Sequence, residues 1–269
     1  MLNCGVTQGN WSETNTSWAE GVLKVDFHLH SGEDPVDLIH HDAAMLIDRA
    51  AAAGYGALAI TLHDRQLDDS SLTAFARERG VVLLPGIERT IEGKHVLLIN
   101  FARAAAESIF TFRDLEWLKS RANGIVIAPH PFFPGASCLG RQLDRHAHLF
   151  DAVEWSYFWT KRLDFNSRAA RWARAHGKPI VGNSDTHDIR QLGRTHSLVA
   201  SEAHADAICA AVRDGRVEVA TEPVPLSELA LVLGGMMLRH RLLHVKQLDL
   251  EDERRVRRNR PVAARAVSE

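Results

Sequence analysis

The segment DFHLHS places His28 and His30 two residues apart at the end of an apolar run. On an extended backbone residues i and i+2 share a face, so both imidazoles can grip one ion. Further segments carry ligand-type residues in the same context. They are His63 in TLHD, Glu88 in PGIE with His95 opening the run just after it, His130 in APHP, and Asp185 with His187 in NSDTHD. Each would be a polar group in mostly apolar surroundings, costly to bury alone, and a metal ion partners many such groups at once. Mixed imidazole and carboxylate donors suit Zn, Mn or Fe, and donor type alone does not choose among them.

The elements that must position these residues alternate between strand-like and helical runs. Strands are expected over 22–27, 56–61, 81–88, 95–101, 125–130, 152–158, 179–185 and 196–201, with a short one at 217–221. Helices are expected near 41–53, 70–79 (capped by Ser70 or Ser71), 111–124, 165–176, 203–214 and 226–244. Strands alternating with helices argue for βα units around a parallel sheet, and about seven strands are of barrel type. Five strand ends then aim imidazoles or carboxylates at one end of the sheet, the end that carries chemistry in parallel α/β folds.

Composition bounds the reading. The chain has 269 residues, 45% hydrophobic and 25% charged, with net charge −2 and fifteen histidines. One domain of ordinary globular type fits, divided into an irregular arm over 1–21, a barrel over 22–250 and a basic tail over 251–269. The tail holds five Arg in residues 254–260 and reads as a solvated segment. The acidic remainder argues against a dedicated nucleic-acid binder. No apolar run approaches the ~20 residues that span a bilayer, and the first residues do not read as a secretory signal, so a cytoplasmic protein is expected. Cys4, Cys138 and Cys209 form no paired motif and fall outside the strand-end segments. Of the other histidines, His40, His41, His146, His148, His176, His204, His240 and His244 read as surface residues.

Taken in order, DFHLHS, AITLHD, PGIE, PHP and NSDTHD resemble the polymerase and histidinol phosphatase (PHP) superfamily over roughly residues 24–201. The resemblance implies a distorted (β/α)7 TIM-like barrel with two to three divalent metal ions at the C-terminal ends of its strands. It implies one ion held by His28, His30, Glu88 and Asp185, and a second sharing Glu88 and adding His95 and His130. A third takes His63, His187 and an acid after the H-x-H, with Asp34 first and Glu33 and Asp37 as its rivals. Glu88, Asp185 and His187 are the residues expected to act in catalysis. Leu62 departs from the family, where Asp commonly precedes the His.

The implied activity is hydrolysis of a small phosphorylated substrate, a monoester or diester, by metal-activated hydroxide. The alternatives are an exonuclease-like action on oligonucleotide ends and a non-catalytic metal-binding module. A metal-bound water, His196 or a loop acid such as Asp64 could protonate the leaving group. Arg65, Arg89, Arg141, Lys161 and Arg162 could hold phosphate, and Glu154 and Asn183 could support the ligands.

Overall fold

The β-branched and apolar runs form strands in the computed structural model, which describes residues 6–8, 21–236 and 238. In chain order they are β1 (Val6–Gln8), β2 (Val22–Leu29), β3 (Ala57–Ile60), β4 (Val82–Leu84), β5 (Gly86–Ile91) and β6 (Lys94–Ile99). Then come β7 (Ile125–Ala128), β8 (Ala152–Ser156), β9 (Ile180–Asn183), β10 (Thr195–Ala200) and β11 (Val217–Thr221). The main helices are Ala43–Ala52, Ser70–Glu78, Phe112–Lys119, Asn166–Ala175 and Ala205–Arg213, with another over 226–236. The helix Ser70–Glu78 is capped by Asp69 rather than by a serine. Its carboxylate accepts from the Ser71 and Leu72 amides and places a negative charge at the positive helix end.

The strands pair in two sheets, β1-β11-β10-β2-β3-β4 and β5-β6-β7-β8-β9, and no ladder among the described residues joins them into one closed barrel. β2, β3 and β4 run parallel, as do β7, β8 and β9, but β6 and β10 are antiparallel to both neighbours. The reversal at β6 follows from its loop. Glu92 and Gly93 both take positive φ (49° and 75°), the two-residue hairpin geometry, which leaves no length for a crossover helix.

The sheets meet at two seams, bridged singly by Leu29 with Thr186 and by His63 with Glu88. Glycine permits both approaches. A Cβ on Gly86 would stand 2.9 Å from the Thr61 methyl, and one on Gly182 would stand 2.6 Å from the His196 carbonyl oxygen. Between the sheets lies a shared core that includes Val25, Phe27, Ala59, Leu97, Ile127 and Val181, to which the helix Ala205–Arg213 adds Ile208 and Val212. Helices Ala43–Ala52 and Asn166–Ala175 cover the outer faces through residues such as Leu46 and Trp172.

Residues 6–8, read from sequence as part of an irregular arm, pair in parallel with Val219–Thr221. The basic segment 251–269 lies outside the described residues. No described helix is long and apolar enough to cross a membrane.

Candidate metal centre

All the strand-end residues singled out in the sequence converge. His28 lies in β2 and His30 just beyond it, His63 follows β3, Glu88 lies in β5, His130 follows β7, and Asp185 and His187 follow β9. His95 joins them because β6 is reversed, which brings its first residues to the end where its neighbours finish. A register shift between Asp26 and Leu29 in the β2–β3 ladder lies beside the paired histidines, a usual place for a bulge that re-aims side chains. His130 and Asp185 hold left-handed backbone (φ 25° and 48°), strain that clusters at functional sites.

The geometry fits a metal. His28 Nε2 and His30 Nε2 are 3.2 Å apart. His28 Nε2 is 3.4 Å from Glu88 Oε2 and 3.3 Å from Asp185 Oδ1, and His30 Nε2 is 3.4 and 3.5 Å from the same two oxygens. Ligands about 2.0–2.2 Å from a tetrahedral ion are separated by about 3.3–3.6 Å, so the two imidazole nitrogens stand at ligand-like spacing from each carboxylate. A second observation concerns Glu88 Oε1. It lies 2.7 Å from His95 Nδ1, yet neither atom makes a hydrogen bond, so the angle between them is wrong for one. Both buried atoms therefore have lone pairs available to a metal ion. His130 Nε2, 3.3 Å from the same oxygen, completes that group.

A surrounding layer turns each ring nitrogen the right way. Glu154, fully buried on β8, takes His28 Nδ1 at 3.2 Å and accepts the His130 amide at 2.9 Å. Asn183 accepts the Phe27 amide at 3.0 Å. Asp34 Oδ2 accepts from His30 Nδ1 (2.9 Å), His63 Nδ1 (3.0 Å) and the His63 amide (3.0 Å), while Oδ1 accepts the Val36 and Asp37 amides. His41, read as a surface residue, is instead buried with its Nε2 2.9 Å from the His30 carbonyl. Cys138 Sγ lies 3.3 Å from His130 Nδ1, a role its sequence context does not signal. Such outer partners fix which nitrogen faces an ion.

Charge follows the same logic. Burial disfavours a cation on His28, but Asp185, Glu154 and Glu88 outweigh it and push the imidazole up to about 10. Burial would raise Glu88, yet His95, His28 and His63 hold its carboxyl well below the usual range. Carboxylates that draw protons onto buried imidazoles are the ones a divalent cation neutralises, with proton release.

Several sequence candidates stand elsewhere. Asp64 pairs with Arg89 at 2.7 Å, and Arg89 also donates to the Ile109 carbonyl. Arg65 and Arg141 are exposed, and Lys161 and Arg162 line a separate cavity with Pro223 and Pro225. Glu33 accepts the Ala43 amide at the start of a helix. Asp37, by contrast, faces the cluster, with Oδ2 3.1 Å from His187 Nε2 and 3.8 Å from His63 Nδ1.

His196 packs edge-on against Tyr55, whose ring carries Lys24 Nζ over its face. Burial first, then Lys24, lower it to about 4. A histidine whose folded value is depressed adds stability above its unfolded value near 6.5 and loses it as pH falls toward 4. Between pH 7 and pH 4 the protein should therefore lose roughly 2 kcal/mol more than the His196→Gln variant in urea unfolding. Equal losses would show that the ring takes no part.

Comparison with known proteins agrees with this arrangement. A family model described as PHP-associated matches residues 164–217, the stretch that contains Asp185 and His187. The fold is similar to that of a two-domain protein from Bacteroides vulgatus containing a predicted PHP-like metal-dependent phosphoesterase. That match has 19% identity and TM-score 0.58, and covers 74% of this chain and 65% of that one. PsfC from Pseudomonas syringae matches at 18% and 0.57, over 82% and 99% of the two chains. A lesion-specific endonuclease, EndoQ from Pyrococcus furiosus, matches at 15% and 0.53, over 74% and 57%. The aligned region thus spans less than two thirds of the first and third of these proteins. No match is found among the curated proteins. The chain thus shares its fold with PHP-like proteins, and its residues 164–217 match a PHP-associated family model.

Proposed function

We propose that the chain is a metal-dependent phosphoesterase acting on a small phosphorylated substrate, a monoester or a diester. The observation that carries the reading is the convergence of the His28 and His30 Nε2 atoms on both Glu88 Oε2 and Asp185 Oδ1, with the second oxygen of Glu88 close to His95 and His130. These residues would hold two ions, with Glu88 bridging them. His63, His187 and Asp37 would hold a third; Asp37 takes the place of Asp34, whose Oδ2 orients His30 and His63 and whose Oδ1 accepts the Val36 and Asp37 amides. Bound divalent ions acidify a coordinated water and neutralise charge on phosphoryl oxygens.

The chain's own residues do the positioning. Glu88 is 1% exposed, so its carboxylate is fixed among imidazoles and cannot swing. Asp185 and His187 stand in the cavity wall, beside the place where the ester must lie. Phe133 and Phe158 flank that cavity.

Protein reconstituted in turn with Mn, Zn and Fe should bind two to three ions per chain. It should hydrolyse 4-nitrophenyl phosphate or its bis-ester, losing activity to chelator and regaining it on metal return. Failure to take up any of the three metals would sink the proposal.

A further inference from the structure

Resting on the phosphoesterase reading, we infer that the substrate carries its only anionic group at the metal cluster and an apolar, ring-sized body beyond it. It is a phosphoester of an aromatic or apolar alcohol. The site opens into a cavity of about 390 Å³, at the small end of the range for ligand pockets. One end is the cluster. The other is carbon, from Val36, Phe133, Phe158, Leu233 and Met236.

No Lys or Arg lines this cavity among the described residues. The basic residues nearest in sequence to the strand ends are paired, exposed or turned to another cavity. A second phosphate, on a nucleotide chain or a bisphosphorylated sugar, would leave water for an apolar wall with no counter-charge, a costly transfer.

The wall is anchored in the fold. Leu233 and Met236 stand three residues apart on the helix over 226–236, hence on one face. That helix is tied by Glu228, which accepts from Tyr157 Oη at 2.8 Å and from Arg194 at 3.1 Å. Below it, Leu229 and Val232 pack with Tyr157, Phe158 and Val224. Phe133 sits edge-on to Phe165 (5.3 Å, 76°) and tilted to Phe158 (5.9 Å, 52°), an aromatic corner suited to a ring.

Phosphonates test this without a bond to break. Calorimetry on the metal-loaded protein compares methylphosphonate, benzylphosphonate and 4-carboxybenzylphosphonate, while turnover of phenyl phosphate is measured in parallel. Benzylphosphonate should bind roughly 30-fold tighter than methylphosphonate, the effect of burying one ring. The distal carboxylate should cancel most of that gain. Phe158→Ala and, at a less buried position, Met236→Ala should each shrink the benzyl-to-methyl ratio. Met236→Lys should recover affinity for the carboxylated ligand. A ratio near one, or tighter binding of the carboxylated ligand to the unaltered protein, overturns the inference. If phenyl phosphate is turned over while the ratio is flat, the specificity fails alone. If it is not turned over with any of the three metals, the phosphoesterase reading fails and takes this inference with it.

Discussion

Glu88→Gln should empty more than one metal position and lower kcat/KM by roughly 10³-fold or more. The two oxygens of this carboxylate face five imidazoles. Oε1 lies 2.7 Å from His95 Nδ1 and 3.3 Å from His130 Nε2. Oε2 lies 3.1 Å from His63 Nε2 and 3.4 Å from the Nε2 atoms of both His28 and His30. An amide keeps the volume but loses the charge, and its NH2 end cannot bind a cation. Charge stabilisation by the ions is worth several kcal/mol, and ~1.4 kcal/mol is a decade in rate. Glutamine fills the same space at this fully buried position, so a folded protein is expected, and a circular dichroism melt beside the metal analysis checks that. Retention of all metal by the folded variant would defeat the bridging role.

The second large effect separates two neighbouring acids. Asp37→Ala should lose one metal equivalent and leave the metal-free melt near that of the unaltered protein, because Asp37 reaches the cluster from a partly exposed loop. Asp34→Ala should act differently. It strips the acceptor from His30 and His63 and from three backbone amides, all at a buried position. Hydrogen bonds to a charged group are worth about 1.5–3 kcal/mol each before the site relaxes, so several kcal/mol of stability should go. Metal affinity should fall about 10–100-fold, the usual cost of losing a residue that orients ligands. Mass spectrometry of bound metal and thermal melts of both variants decide it. If Asp34→Ala drops one ion cleanly with an unchanged melt, Asp34 is the ligand and Asp37 is not.

How far the site could be read beforehand depends on the range of the physics at each residue. The i, i+2 placement of His28 with His30 is a property of extended backbone, and so it is visible in six letters of sequence. His130, Asp185 and His187 share that legibility, since each follows an apolar run whose β character is local, whereas Glu88, expected at the end of a strand over 81–88, lies inside β5 because the run breaks between β4 and β5. The alternation of strands and helices likewise came through at nearly every element. Asp34 and Asp37 were not separable. They lie in an irregular loop with no periodicity, where a small change in backbone direction decides which carboxylate meets the imidazoles.

Other features depend on contacts between distant segments. The division into two sheets rests on Gly86 and Gly182 passing close to strands far away in sequence, and on a reversed β6 that also delivers His95. Cys138 supports His130 through a loop whose path no local pattern specifies. The apolar wall comes from a helix over 226–236, far in sequence from His28, docked by Glu228 onto Tyr157 and Arg194. Sequence alone picked out the candidate ligand residues and most of the strands that bear them, because backbone period and residue chemistry act over a few positions. Tertiary packing decided how Asp34 and Asp37 meet the imidazoles, which basic residues are paired and what lines the cavity, because burial and hydrogen-bond satisfaction are settled only when distant segments meet.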